Sequence, residues 1–206
     1  MNKFSFFLIL LLPAVFSCSH SMHGSMNHEM DHSAHKAMME KKNSHSVSNA
    51  SYQVPDVVLL NQEGNKINLK EFLENNEPYA LNFIFTTCTT ICPILTASFS
   101  HMQRELGEDA NDLQLISVTI DPEYDTPAVL RNYSQKVRAT RNWTFLTGDY
   151  ETIVAVEKAF DAYTSNKMDH HPSYIFKTEA DQDWVRVDGL ASGSDLAEVF
   201  QLNSLF

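Results

Sequence analysis

From Tyr52 to Phe206 the apolar positions follow two periods that alternate along the chain. Pro55 to Leu60 reads as a strand, Asn61 to Asn65 as a turn carrying Gly64, and Ile67 to Leu69 as a short return into a helix at Lys70 to Asn75. Tyr79 to Phe85 is a short, continuous run of aromatic and branched residues, the signature of a strand buried on both faces. Leu95, Phe99, Met102 and Leu106 recur at three or four residues and predict a helix over Pro93 to Leu106, with His101 off the stripe and exposed. Leu113 to Ile120 is a second buried strand, stopped by Asp121-Pro122. Thr126 as N-cap and Pro127 at the first helical position start a helix that reaches about Val137. Trp143 to Leu146 reads as a connecting segment, and Asp149 to Tyr163 as a helix with Ile153, Val156 and Phe160 on one face. Ser173 to Phe176 and Trp184 to Val187 form adjacent strands across a polar turn, and Ser194 to Leu202 is a closing helix. Strands alternating with helices, then a hairpin and a helix, predict an α/β sheet covered on both faces. No internal repeat is visible.

The first fifty residues follow neither period. Lys3, the apolar run Phe4 to Phe16, then Ser17 and Cys18 have the order of an export leader, and the run is too short to span a bilayer comfortably. Val15-Phe16-Ser17-Cys18 is similar to a bacterial lipobox, which makes residues 1–18 a lipoprotein leader and Cys18 the lipidated first mature residue. Ordinary secretion or an uncleaved anchor are the alternatives. Residues 19–50 are expected to be a disordered tether, leaving 51–206 as one domain. His20, His23, His28, His32, His35 and His45 alternate there with Met22, Met26, Met30, Met38 and Met39. Thioether sulfur suits Cu(I) and imidazole suits Cu(II), so the tether reads as a weak, multi-site copper collector. Zinc or nickel alone would leave the methionines unexplained.

Composition narrows the partners. A net charge of −11 with no basic run excludes nucleic acid, and electrostatic docking on an anionic membrane as well. An acidic surface suits a basic protein partner, or serves solubility alone.

The chemistry sits where the first buried strand meets the second helix. Cys88 and Cys92 lie in a small polar loop after Tyr79 to Phe85, with Pro93 opening the helix. The free N–H groups and positive dipole end of a helix start favour a thiolate, so both cysteines are expected to have lowered pKa values. Such a pair serves redox chemistry or a soft metal. A purely structural crosslink over so short a loop would contribute only about 2 kcal/mol.

Strand, cysteine loop, helix, β–α units and a final hairpin make the thioredoxin pattern, here with Cys-x-x-x-Cys spacing. FTTCTTICP, SVTIDPEYDTPAVLRNY, FLTG at 145–148 and MDHHPSYIF occur in the order found in the Sco/SenC copper proteins of the thioredoxin superfamily, which the chain resembles over roughly Tyr52 to Phe206. The resemblance implies a thioredoxin-like fold with a central mixed sheet flanked by helices. It implies one copper held by Cys88, Cys92 and His170. His171 is an immediate rival to His170. Asp169 is a candidate to orient that imidazole, or only a loop-solvating carboxylate. Two thiolates and an imidazole suit Cu(I) and can also hold Cu(II), whereas structural zinc would want a fourth ligand. Asp121, Pro122, Asp125 and Pro127 match the family run, and turn formation, capping and docking near the metal loop explain them.

The resulting expectation is an exported copper chaperone, lipid-anchored on the periplasmic side of a bacterial membrane. It would deliver copper to the binuclear copper centre of a cytochrome c oxidase subunit and exchange metal with other copper carriers. On that reading it is not an enzyme. The alternative is a thiol–disulfide oxidoreductase, with Cys88 and Cys92 as the redox pair that reduces the subunit's cysteines before metallation. A thiol peroxidase is weaker, because no Pro-x-x-x-Thr-x-x-Cys precedes Cys88. Copper storage by the tether alone is a further alternative.

Overall fold

The computed structural model describes residues 45–75, 78–179 and 183–204. The leader, Cys18 and the tether up to residue 44 lie outside the described residues.

Among the described residues one mixed sheet of eight strands runs in the order β1-β8-β7-β4-β5-β6-β2-β3. These are β1 His45–Ala50, β2 Val58–Asn61, β3 Lys66–Asn68, β4 Tyr79–Ile84, β5 Gln114–Thr119, β6 Trp143–Thr147, β7 Ser173–Lys177 and β8 Trp184–Gly189. The helices are α1 Leu69–Asn75, α2 Cys92–Leu106, α3 Pro127–Lys136, α4 Tyr150–Ala159 and α5 Gly193–Asn203. β4 pairs in parallel with β5, and β5 with β6, while β4 and β7 pair antiparallel. All six residues of β4 are buried, as its unbroken apolar run requires.

The two faces carry different layers. Asn82, Ser117 and Phe145 are register partners and share one face with Trp143. There Phe99 of α2 lies 5.8 Å from Trp143 and 5.4 Å from Tyr174, ring centroid to centroid, and Tyr133 of α3 meets Phe145 edge-on. Phe83 points to the opposite face, where Phe160, at the end of α4, lies 6.2 Å from it. The helices therefore cover both faces, as predicted. α5 packs directly on α2, Ser98 donating to the Ala191 carbonyl at 2.7 Å. Gly193 allows that approach, since a Cβ there would stand 2.4 Å from His101 Cβ.

Two expectations change. His45–Ala50, assigned above to the tether, is an edge strand paired antiparallel with β8 from His45↔Gly189 to Ala50↔Trp184. Its residues are mostly exposed, so main-chain bonding holds it and hydropathy carries no trace of it. The sheet therefore takes in residues from His45 onward. Trp143 to Leu146, read above as a connection, belongs to the buried strand β6, with Trp143 1% exposed and donating to Ser117 Oγ at 2.9 Å. Its five residues are too few to show a period.

Candidate metal centre

β4 delivers the chain into the cysteine loop, and a buried carboxylate fixes that loop. Asp125 is fully buried and accepts the Thr86 N–H at 3.0 Å, the Thr86 hydroxyl, and the Thr119 hydroxyl at 2.6 Å. Cys88 N–H then donates to the Phe85 carbonyl at 3.1 Å, closing a tight turn. The helix begins at Cys92 with Ile91 as N-cap, which offers no side-chain acceptor. Cys88 Sγ supplies one instead, accepting the Cys92 N–H at 3.3 Å. The sulfur thus caps the helix whose dipole stabilises it.

Both cysteines are free thiols. Burial pushes the Cys88 thiol up, but the hydrogen bonds from Cys92 and Thr90 outweigh it and hold it at about 7. Cys92 goes the other way: burial, then its hydrogen bond with Cys88, raise its thiol far above the ordinary cysteine range. The expectation of two lowered values therefore holds for one sulfur only. Cys92 is 0% exposed, inside the first helical turn, and the helix N–H groups serve Cys88.

His170 follows a single 3-10 turn, Lys167–Asp169, and is 6% exposed. The β4–β7 ladder stops at Asn82↔Tyr174, and beyond its end His170 Nε2 lies 3.0 Å from the Phe83 carbonyl. A carbonyl only accepts, so Nε2 carries the proton and Nδ1 holds the lone pair. Nδ1 is buried without a hydrogen-bond partner among the described residues, which is how a metal-ligating nitrogen looks before it has a ligand. Burial lowers the imidazole pKa and keeps the ring neutral. His171, the rival, is exposed and lines a separate pocket with Arg186 and Asp188. Asp169 is exposed too, and among the described residues no hydrogen bond joins it to the His170 ring.

The structure brings Cys88 and Cys92 together and does not gather His170 with them into one ligand group. Among the described residues no three His, Cys, Asp or Glu side chains stand close enough to hold a metal. The donor types nevertheless fit a soft cation: two sulfurs and one imidazole with a free lone pair.

A polar chain links the two halves. Beside Asp125, the Thr119 hydroxyl accepts the Asp121 N–H at 3.0 Å, and Lys167 Nζ reaches Asp121 Oδ2 at 2.6 Å. The same ammonium lies 5.6 Å from the centroid of the Phe85 ring. Lys167 stands three residues before His170 and ties the histidine loop to the Asp-Pro loop. Lys167, Thr86 and Thr119 carry no signal of their own in the sequence. Only the D-P-x-x-D-T-P run hinted at them, through Asp121 and Asp125.

Residues 48–187 match the SCO1/SenC family model. The chain belongs to the SCO1/SenC family. A SCO1 protein homolog of Bacillus subtilis is 35% identical over 99 residues, which cover 48% of this chain and 50% of that protein. The chain thus spans about half the length of the curated relatives it matches. The solved structure of BsSco, described as a Sco-family cytochrome c oxidase assembly protein with a disulfide switch, superposes with a TM-score of 0.63 at 27% identity, covering 76% of this chain and 96% of that one. Copper-bound ScoI of Bradyrhizobium japonicum superposes with a TM-score of 0.58 at 23% identity, covering 75% and 98%, and at that identity shows the thioredoxin-like fold alone.

Proposed function

We propose that this SCO1/SenC protein is a copper chaperone that delivers copper to the binuclear centre of a cytochrome c oxidase subunit. The observation that carries this reading is a pair of free, adjacent thiols at a helix start together with a buried imidazole whose Nδ1 lone pair has no partner. Copper is the cargo. Cys88, already close to its thiolate form at neutral pH, takes the metal first; Cys92 loses its proton as the cation compensates its burial. His170 Nδ1 completes the site when the histidine loop closes on the sulfurs. Transfer then proceeds as the target's thiolates replace Cys88 and Cys92 one at a time, with no bond chemistry beyond ligand exchange. A lipid on Cys18 would hold the domain at the outer face of the membrane, and residues 19–44 would collect copper for it.

The test is an anaerobic copper titration of the reduced full chain beside His170→Ala and Cys88→Ser. Copper taken up by the His/Met segment is common to all three, so differences report on the domain. One tight equivalent present in the wild type and lost in both variants is expected. Equal stoichiometry and affinity in all three would defeat the reading.

A second reading, reduction of the target's disulfide by Cys88 and Cys92, draws on the same pair being free and within one hydrogen bond, and on the disulfide switch described for BsSco. Cys88 would attack, and Cys92 would displace the target's sulfur, leaving a Cys88–Cys92 disulfide and two target thiols. That chemistry does not need His170, so full reductase turnover by His170→Ala would favour it.

A further inference from the structure

A cleft of about 430 Å³ opens beside the histidine loop; it shares Asp121 and Lys167 with the tie described above and none of Cys88, Cys92 and His170. The loop of Asp121 and Glu123 forms one wall and residues 163–167 another. Its third wall is one stripe of α4: Tyr150, Val154 and Glu157 stand at i, i+4 and i+7, while Ile153 and Val156 are in the core. Glu157 is 5% exposed; among the described residues burial alone perturbs its carboxyl, with no hydrogen bond or ion pair to it, and the little of it that reaches solvent opens on this cleft. A carboxylate this deep is normally paired, since burial alone penalises its charge.

The cations nearest in the chain and cleft are committed elsewhere. Lys167 is held on Asp121 at 2.6 Å, and Lys158 lies 4.9 Å from the centroid of the Tyr163 ring. The cleft therefore presents three carboxylates, Asp121, Glu123 and Glu157, against the single ammonium of Lys167. The phenol rings of Tyr150 and Tyr163 also line it, and Tyr150 is 58% exposed.

We infer that this cleft seats a lysine or arginine side chain of a basic protein partner, with Glu157 as its counter-charge and the two tyrosine rings beside its stem. A metal ion is the poorer occupant, because among the described residues no three ligating side chains converge. A neutral guest would at most hydrogen-bond Glu157 and would leave its charge uncompensated. A cationic side chain satisfies the carboxylate, stacks on aromatic faces, and is drawn in by a chain of net charge −11. The unpaired carboxyl, pushed up by burial to about 7, drops back when a cation arrives, which gives the cleft its own reporter. None of this rests on copper binding, so the two proposals fail separately.

The test uses the full chain labelled uniformly with carbon-13 and nitrogen-15, titrated with Nα-acetyl-lysine methylamide or its norleucine analogue at matched ionic strength. Expected is a saturable shift at Glu157, Tyr150 and Val154 with the lysine compound only, with the Glu157 titration midpoint moving down by about half a unit or more. Glu157→Gln should weaken the binding at least tenfold. The exposed Tyr150→Ala should weaken it several-fold and serves if Glu157→Gln does not fold. Equal response to the norleucine compound, an unmoved Glu157 midpoint, or undiminished binding in both variants would overturn the inference.

Discussion

The cysteine loop and the histidine loop would hold one metal between them, yet they are built to different standards. The cysteine loop leaves a fully buried strand and is fixed by Asp125, a buried carboxylate accepting three hydrogen bonds. The histidine loop leaves an exposed stretch of chain and is tied at its far end by one buried bond, His170 Nε2 to the Phe83 carbonyl, and before it by Lys167 on Asp121, a pair whose lysine is 44% exposed. The difference teaches which half moves. A buried acceptor whose loss strands several donors holds its loop in one arrangement, whereas a solvent-screened ion pair contributes little and can open. On the function proposed above, the sulfurs would stay in place and the imidazole would come to them.

Breaking the rigid half should produce the largest effect. Asp125→Ala leaves the Thr86 N–H and the hydroxyls of Thr86 and Thr119 without their shared acceptor. A loss of about 3–5 kcal/mol in urea unfolding is expected, with the copper site lost as well. If Asp125→Ala unfolds at the wild-type midpoint, the carboxylate is not what fixes the cysteine loop.

A smaller effect separates the two sulfurs within the rigid half. Cys88 is held at about 7, so it is a thiol below that pH and a thiolate above it; Cys92 stays protonated throughout the neutral range. Alkylation of the metal-free reduced protein by iodoacetamide should modify Cys88 with a rate that rises through pH 7 and then levels, and should modify Cys92 at least about 100-fold more slowly at pH 7.5. Mass spectrometry of peptides quenched at intervals reads both rates. His170→Ala should leave the profile unchanged while the loops are apart. A profile displaced by that variant would show them coupled before metal arrives.

The same division governs what the sequence discloses. The cysteine loop is local: a buried strand, two sulfurs and a helix start lie within fifteen consecutive residues, Leu81 to Leu95, and their chemistry follows from spacing. The helices announced themselves through Leu95, Phe99 and Met102, and through Thr126 and Asp149, which cap α3 and α4 as their side chains allow. His170 is different. It lies 78 residues beyond Cys92 in the chain, and only the ordering of β7 beside β4 brings its ring to Phe83. Without the family pattern a lone histidine there reads as an ordinary loop residue. Lys167, β1 and the split between the two thiols were illegible for one reason: each depends on a partner strand, a distant carboxylate or a depth of burial that no local window contains.

The smallest effect on stability, and the sharpest on the comparison, belongs to the tie on the histidine loop. Lys167→Met removes the 2.6 Å contact with Asp121 and keeps an apolar stem over Phe85. Because the ammonium is nearly half exposed, the unfolding free energy should change by less than about 1 kcal/mol. Copper affinity should nonetheless fall about tenfold, as for other residues that orient a ligand without touching the metal, and Lys167→Arg should recover most of it. Stability alone cannot distinguish a tie from decoration; the split between an unchanged midpoint and a weakened site does. If Lys167→Met binds copper as tightly as the wild type, the Asp121 contact does not set where His170 sits, and the imidazole finds the sulfurs without guidance. If it binds more tightly, the contact holds His170 back, and it is a latch that copper capture must open.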